Sequence, residues 1–180
     1  DSAAAEIAAL DAALGAPDPA RAAAVRAALR GGECGLLLRL WPRLQLLLCS
    51  STGAFEPYWR RLDAGFARGV PLYSPIFGAT EGLIGVNLAP PATTPVGEAR
   101  YVLPPRAMFY EFLAVGAEAP RATILPSEAV IGRDYELVIT TLGGLCRYRF
   151  GDVVRLAGRH GTAPLVEFRY RRGQLLNVRG

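Results

Sequence analysis

From residue 101 onward the chain is a succession of short apolar runs, at 101–103, 107–115, 122–125, 135–141, 145–150, 153–157 and 165–170. Turns rich in Gly, Pro, Asp and Arg separate them, which is the pattern of a mainly antiparallel sheet or distorted barrel. The first half is punctuated differently. Residues 2–14 form an Ala-rich helical stretch stopped by Gly15. Asp18-Pro19 supplies the cap and first-turn residues of a second helix reaching Arg30, before Gly31-Gly32. Leu10, Leu14, Val25 and Leu29 give both helices apolar faces. Residues 44–49 suit a strand buried on both faces, residues 55–68 carry Tyr58, Trp59, Leu62 and Phe66 at helical spacing, and residues 70–76 suit a second strand. Residues 44–76 therefore predict a strand-helix-strand unit with parallel strands. The expected fold class is α/β, with a helical start and α/β layer over residues 1–89 and a mainly antiparallel β subdomain over 90–180. Pro90-Pro91 and Pro104-Pro105 mark connections.

Composition narrows the functional classes. At 180 residues the chain suits one domain, burying roughly 70% of its unfolded surface. The net charge of +4 is carried by arginine and can favour anions such as phosphates, but it is too mild for a nucleic-acid binder. Cys34, Cys49 and Cys146 are too scattered for a disulfide framework or a zinc site and read as reduced, buried thiols. No signal segment opens the chain and no run of about 18 apolar residues could span a bilayer. A start at Asp1 without Met predicts a piece of a longer protein.

Three stretches can carry chemistry. In Tyr148-Arg149-Phe150-Gly151-Asp152, a Gly-Asp pair between two strand-like runs predicts a sharp bend. Such a bend places a carboxylate where it can accept from two neighbouring hydroxyls, as acidic residues do on ribose. A plain turn between strands is the alternative. Phe77-Gly78-Ala79-Thr80-Glu81-Gly82 is expected as a loop at the carboxyl end of a buried strand. There Phe77 offers a face for a planar base, Gly78 permits close approach, Thr80 can donate to a phosphate oxygen and Glu81 can hold magnesium. The alternative is a turn with a core Phe and an exposed Glu. Arg169-Tyr170-Arg171-Arg172 reads as a strand with arginines outward and Phe168 and Tyr170 inward, which is either a solvated face or a guanidinium reaching a ribose or phosphate. Ser50-Ser51-Thr52-Gly53 follows a strand as a phosphate loop would, without the Lys and glycine spacing of a P-loop. His160, the single histidine, falls in a turn and reads as a surface residue, which leaves no serine triad in this chain.

Taken in order, Phe77 to Gly82, Tyr135-Glu136-Leu137-Val138-Ile139-Thr140-Thr141, Arg147 to Val154 and Phe168 to Arg172 resemble the Gretchen Hagen 3 family of acyl-acid amido synthetases, a branch of the adenylate-forming superfamily. Trp41-Pro42-Arg43-Leu44 and Leu83-Ile84-Gly85-Val86-Asn87 share the likeness, which spans about residues 36–180. Leu72-Tyr73-Ser74-Pro75, Val102-Leu103-Pro104-Pro105 and Asn177-Val178-Arg179-Gly180 look closest to the animal branch. The resemblance implies a fragment of an adenylate-forming large domain that ends at the hinge to a mobile C-terminal domain. It implies a two-step reaction with ATP and Mg2+, in which a small carboxylic acid forms an acyl-adenylate and an amino acid then displaces AMP. By motif match Phe77 would stand against adenine, with Gly78 beside it in the nucleotide-binding set, Thr80 would contact the α-phosphate and Glu81 would help hold magnesium. Asp152 would take the ribose hydroxyls, and Arg171 the ribose near the hinge. Two departures stand out: Ala79 where the family has Ser, and Gly173 where a charged hinge residue is expected. The family's phosphate loop and C-terminal domain are expected in other parts of the longer chain, so the isolated piece is expected to be inactive.

Two other readings compete with the ligase. One is a non-catalytic relative acting as a binding or scaffold protein. The other is a basic module for RNA or phospholipid built on Arg169, Arg171, Arg172 and Arg179, which would need exposed aromatics between the arginines. The expected partners are ATP, an acid and an amino acid, with no nucleic acid and no membrane insertion. The animal branch implies an intracellular location, in the cytoplasm or at the endoplasmic reticulum and nuclear envelope.

Overall fold

The computed structural model describes residues 2–90, 98–116 and 123–173. Pro91, Ala122, Arg179 and the rest of the run from 177 to 180 lie outside the described residues. Helices α1 (Ser2–Leu14) and α2 (Pro19–Arg30) stand where the pattern predicts them. Asp18 caps α2, its Oδ1 accepting from the Arg21 backbone N–H at 2.8 Å. At the other end, Arg39 of the short helix α3 (Leu36–Leu40) donates to the carbonyls of Ala28, Gly32 and Cys34. It thereby ties the end of α2 and the following turn to α3. The apolar faces read from the sequence gain little cover here: Leu10, Leu14 and Leu29 are exposed, and Ala28 is the buried residue of α2.

The strand-helix-strand unit forms with the expected parallel pairing, in shortened strands. Strand β1 (Leu47–Leu48) lies parallel to β2 (Leu72–Tyr73), with Leu47 opposite Leu72. Between them a 3-10 turn (Gly53–Phe55) leads into α4 (Glu56–Ala64). Trp59 of α4 is buried with Ala67, Val70 and Leu72. Leu48 is 61% exposed, so the run at 44–49 is covered on one face rather than two. The helix ends at Ala64, because Gly65 takes over as its cap.

Ser74-Pro75 divides the run expected as one strand over 70–76. Beyond it, β3 (Ile76–Ala79) and β4 (Gly82–Val86) form a hairpin, and the expected loop at 77–82 is most of that hairpin's first strand, its tip and the first residue of β4. The hairpin opens an eight-stranded antiparallel sheet of order β3-β4-β5-β10-β9-β8-β6-β7. Its other members are β5 (Arg100–Val102), β6 (Phe109–Ala114), β7 (Thr123–Ile124), β8 (Asp134–Thr140), β9 (Tyr148–His160) and β10 (Ala163–Arg171). Sheet membership thus begins at Ile76, upstream of Pro90. The sheet curls far enough for Phe77 on β3 to meet Phe168 on β10 with ring centroids 5.6 Å apart, yet β3 and β7 remain its two edges, so no barrel closes among the described residues.

One face of the sheet carries the core. Tyr135, Leu137 and Ile139 of β8 alternate into it beside Phe112, Val154, Leu156 and Val166, and each such side chain stabilises the fold by about 1.5–3 kcal/mol. The opposite face carries the ion pairs Arg100–Glu167, Arg155–Asp134, Arg149–Glu136 and Arg147–Glu111 and also buries Leu113, Val138 and Val153. The thiols depart from expectation: Cys34 and Cys146 are exposed, and only Cys49 is half-buried. His160 is exposed at the end of β9.

Candidate functional site

Tyr148 to Val154 does not form a bend between two strands. It lies within the single thirteen-residue strand β9, and the Gly-Asp pair sits in a bulge. On β8, Glu136 pairs with Val153 and Val138 with Arg149, so three residues of β9, Phe150, Gly151 and Asp152, stand against Leu137 alone. Gly151 takes φ +87, a left-handed conformation that residues with a Cβ rarely adopt. The bulge leaves Asp152 on the core face, only 2% exposed.

A second bulge delivers its partner. Phe168 of β10 pairs with Val154, but Tyr170 pairs with Val153 and Arg171 with Asp152, leaving Arg169 as an extra residue. One inserted residue reverses the side-chain alternation beyond it. Tyr170 therefore turns outward, 47% exposed, and Arg171 turns toward Asp152, the reverse of the regular strand predicted for 165–170. The Arg171 guanidinium meets the carboxylate side-on: Nε donates to Oδ1 at 2.5 Å and Nη2 to Oδ2 at 3.1 Å. The Phe150 ring lies 5.8 Å from the same guanidinium, within cation–π range. Burial pushes the Asp152 carboxyl above the ordinary aspartate range, the hydrogen bonds and charge of Arg171 oppose that push, and the nearby Glu81 carboxylate reinforces it.

Glu81 arrives from the β3–β4 hairpin tip, close enough to act electrostatically on both Asp152 and Arg171. Thr80 beside it donates to Glu81 Oε2 at 3.0 Å. Glu81, with Thr80 beside it, thus stands within electrostatic reach of the Asp152–Arg171 pair. Gly78 is exposed on the same hairpin, whereas Phe77 is a core residue, 6% exposed between the rings of Tyr101 and Phe168. That is the core alternative already open for this position.

Glu136 is not among the residues singled out for chemistry in the sequence, whereas Ser51 lies in the loop at 50–53 that is. Glu136 is buried, accepts both forks of Arg149 at 2.8 Å and takes Arg172 Nη1 at 2.7 Å. Ser51, at the carboxyl end of β1, is 2% exposed with a hydroxyl that has no partner among the described residues. Arg171 and Arg172 are both paired with carboxylates, while Arg169 and Tyr170 beside them are exposed.

Comparison with known proteins agrees with the family resemblance of the sequence. Residues 4–72 match the GH3 family N-terminal domain and residues 101–171 the GH3 family central domain, so between them they take in more than half of the chain. The chain belongs to the GH3 family. It is 42% identical over 169 residues to the GH3 domain-containing protein of Homo sapiens, covering 92% of this chain and 31% of that protein. It is 38% identical over 168 residues to the indole-3-acetic acid-amido synthetase GH3.8 of Oryza sativa subsp. indica, covering 90% of this chain and 27% of that protein. Among solved structures it superposes on the GH3.15 acyl acid amido synthetase with a TM-score of 0.77 at 32% identity, covering 88% of this chain and 28% of the other. The chain therefore spans about a third or less of the length of these relatives. The fold is that of part of a GH3 acyl acid amido synthetase, with an open sheet in place of a barrel. No helix among the described residues is long and apolar enough to cross a membrane.

Proposed function

We propose that this chain is the central part of an ATP-dependent acyl-acid–amino acid ligase and supplies the nucleoside side of its active site. The observation that carries the reading is the convergence of Glu81 with the buried Asp152–Arg171 pair, from a hairpin tip, a strand bulge and a strand end. Asp152 accepts from the ribose hydroxyls, and Arg171 donates to the ribose while holding Asp152 in place. Thr80 donates to the α-phosphate. The exposed Gly78 leaves backbone open to the adenine, and Phe77 backs it from the core.

A magnesium ion fits Glu81: Mg2+ is held by one or two carboxylates together with substrate phosphates, and Glu81 offers such a carboxylate at the hairpin tip. Bound there, the ion would offset charge on the phosphate oxygens. In the first step a substrate carboxylate oxygen bonds to the α-phosphorus and the bond to pyrophosphate breaks. In the second, the amine of an amino acid attacks the acyl carbon, losing a proton as AMP departs. The acid, the amine, the remaining phosphate contacts and the closing domain belong to the rest of the longer protein in this reading, and the isolated 180 residues are inactive.

Calorimetry of ATP with magnesium, on the full-length protein and its Asp152→Ala variant, tests the proposal. Binding lost in the variant is the expected result. No ATP binding by either protein would sink the ligase reading in favour of a non-catalytic scaffold. Pyrophosphate release by the isolated chain would overturn its predicted inactivity.

A further inference from the structure

We propose that Glu136 is a positioning residue for the ribose end of this site, tying the bulge that carries Asp152 to the strand end that carries Arg171. The proposal rests on the nucleotide reading above. Glu136 stands beside the two-residue excess of β9 and holds both of its rims. Its backbone pairs with Val153 on one side, and its carboxylate takes Arg149 Nε and Nη2, each at 2.8 Å, on the other. The same carboxylate reaches a third strand, accepting from Arg172 Nη1 at 2.7 Å. Arg172 is held a second time through its backbone N–H, which donates to the Gly151 carbonyl at 2.8 Å. The residue before it is Arg171.

A neighbouring pair on the same face shows what an ordinary cross-strand ion pair looks like here. Asp134 and Arg155 join β8 to β9 with side chains 29% and 39% exposed, one carboxylate to one guanidinium. Glu136 differs in three respects: its side chain is 4% exposed, it binds two guanidiniums, and it sits where the register breaks. A carboxylate buried that deeply is retained in charged form only because both arginines face it. Its loss would free the bulge and the strand end from each other and relax the geometry of Asp152 against Arg171. Contacts made from the hairpin tip to adenine and phosphate would be left in place.

The distinguishing measurement is the preference for ATP over 2′-deoxy-ATP, by calorimetry with magnesium on the full-length protein, with thermal melts alongside. Wild type is expected to favour ATP by about tenfold and Asp152→Ala to erase that preference. Glu136→Gln, which keeps the side-chain volume, is expected to lose most of the preference while holding 2′-deoxy-ATP nearly as well as wild type. Arg172→Gln, which leaves Glu136 paired with Arg149, is expected to lose part of it, and decides the matter alone if Glu136→Gln does not fold. A wild-type ratio in the folded variants, even with lowered melting temperatures, would make Glu136 a packing residue and overturn the proposal. Absence of any ribose preference in wild type would instead remove the nucleotide reading beneath it.

Discussion

Arg171 reaches Asp152 across the β9–β10 pair with both donors of its fork, so that a nearly buried carboxylate is matched by a guanidinium whose side chain remains 34% exposed. That exposure lets the same arginine face a ligand while it holds the aspartate. A lysine keeps the charge but offers a single ammonium in place of the planar fork. Arg171→Lys should therefore fold normally and bind ATP about tenfold more weakly, the cost of one charge-assisted hydrogen bond. Titration calorimetry checks it, and unchanged affinity would remove Arg171 from the site.

Gly151 sets the bulge by its backbone. At φ +87 a Cβ is strained, and one built there would meet the Arg172 carbonyl oxygen at 3.4 Å. Gly151→Ala should cost about 1–2 kcal/mol, which is a fall of roughly 2–8 °C in melting temperature for a domain of this size. ATP affinity should fall with it, since Asp152 is the next residue. A melting temperature equal to wild type would mean that the bulge does not need glycine.

What the sequence disclosed and what it hid follow a physical divide. The β3–β4 hairpin was expected as a loop and β9 as two strands, while the parallel β1–β2 pairing and most strand positions beyond residue 100 were legible, because periodicity is a local property of the chain. The two bulges were not. Alternation placed Tyr170 inside and Arg171 outside, and only the register against Val154, Val153 and Asp152 reveals Arg169 as the extra residue. Phe77 had two readings because an aromatic beside a glycine suits a base or a core equally well, and the choice depends on Tyr101 and Phe168 arriving from β5 and β10. Glu136 escaped notice because its partners lie thirteen and thirty-six residues away.

Glu136 also fixes a pH dependence. The hydrogen bonds of Arg149, ahead of those of Arg172, hold its carboxyl below the ordinary glutamate value of 4.5 against the opposing push of burial. A carboxyl with a depressed folded-state pKa stabilises the fold fully above its unfolded value and loses that contribution as pH falls through the folded one. Wild type should therefore lose stability as the pH drops below 4.5, with Asp134, depressed by its hydrogen bonds from Arg155, contributing in the same direction. Glu136→Gln should be less stable than wild type at about pH 7, with the gap narrowing toward about pH 3. A gap that stays constant across that range would show that the ionised carboxylate contributes nothing.

The bulge in β10 makes a prediction opposite to the one a regular strand would make. With Arg169 as the inserted residue, its deletion leaves Phe168, Tyr170 and Arg171 against Val154, Val153 and Asp152 in unbroken alternation. Arg171 then keeps its side and its partner, and ATP affinity should stay close to wild type. In a regular strand the same deletion would carry Arg171 to the other face and Tyr170 with it, and binding would collapse. Calorimetry of the Arg169 deletion with ATP and magnesium separates the two, with Arg171→Ala as the reference for a lost arginine. Affinity as low as that reference would show that Arg169 is not the inserted residue and that Arg171 owes its place beside Asp152 to something other than the bulge.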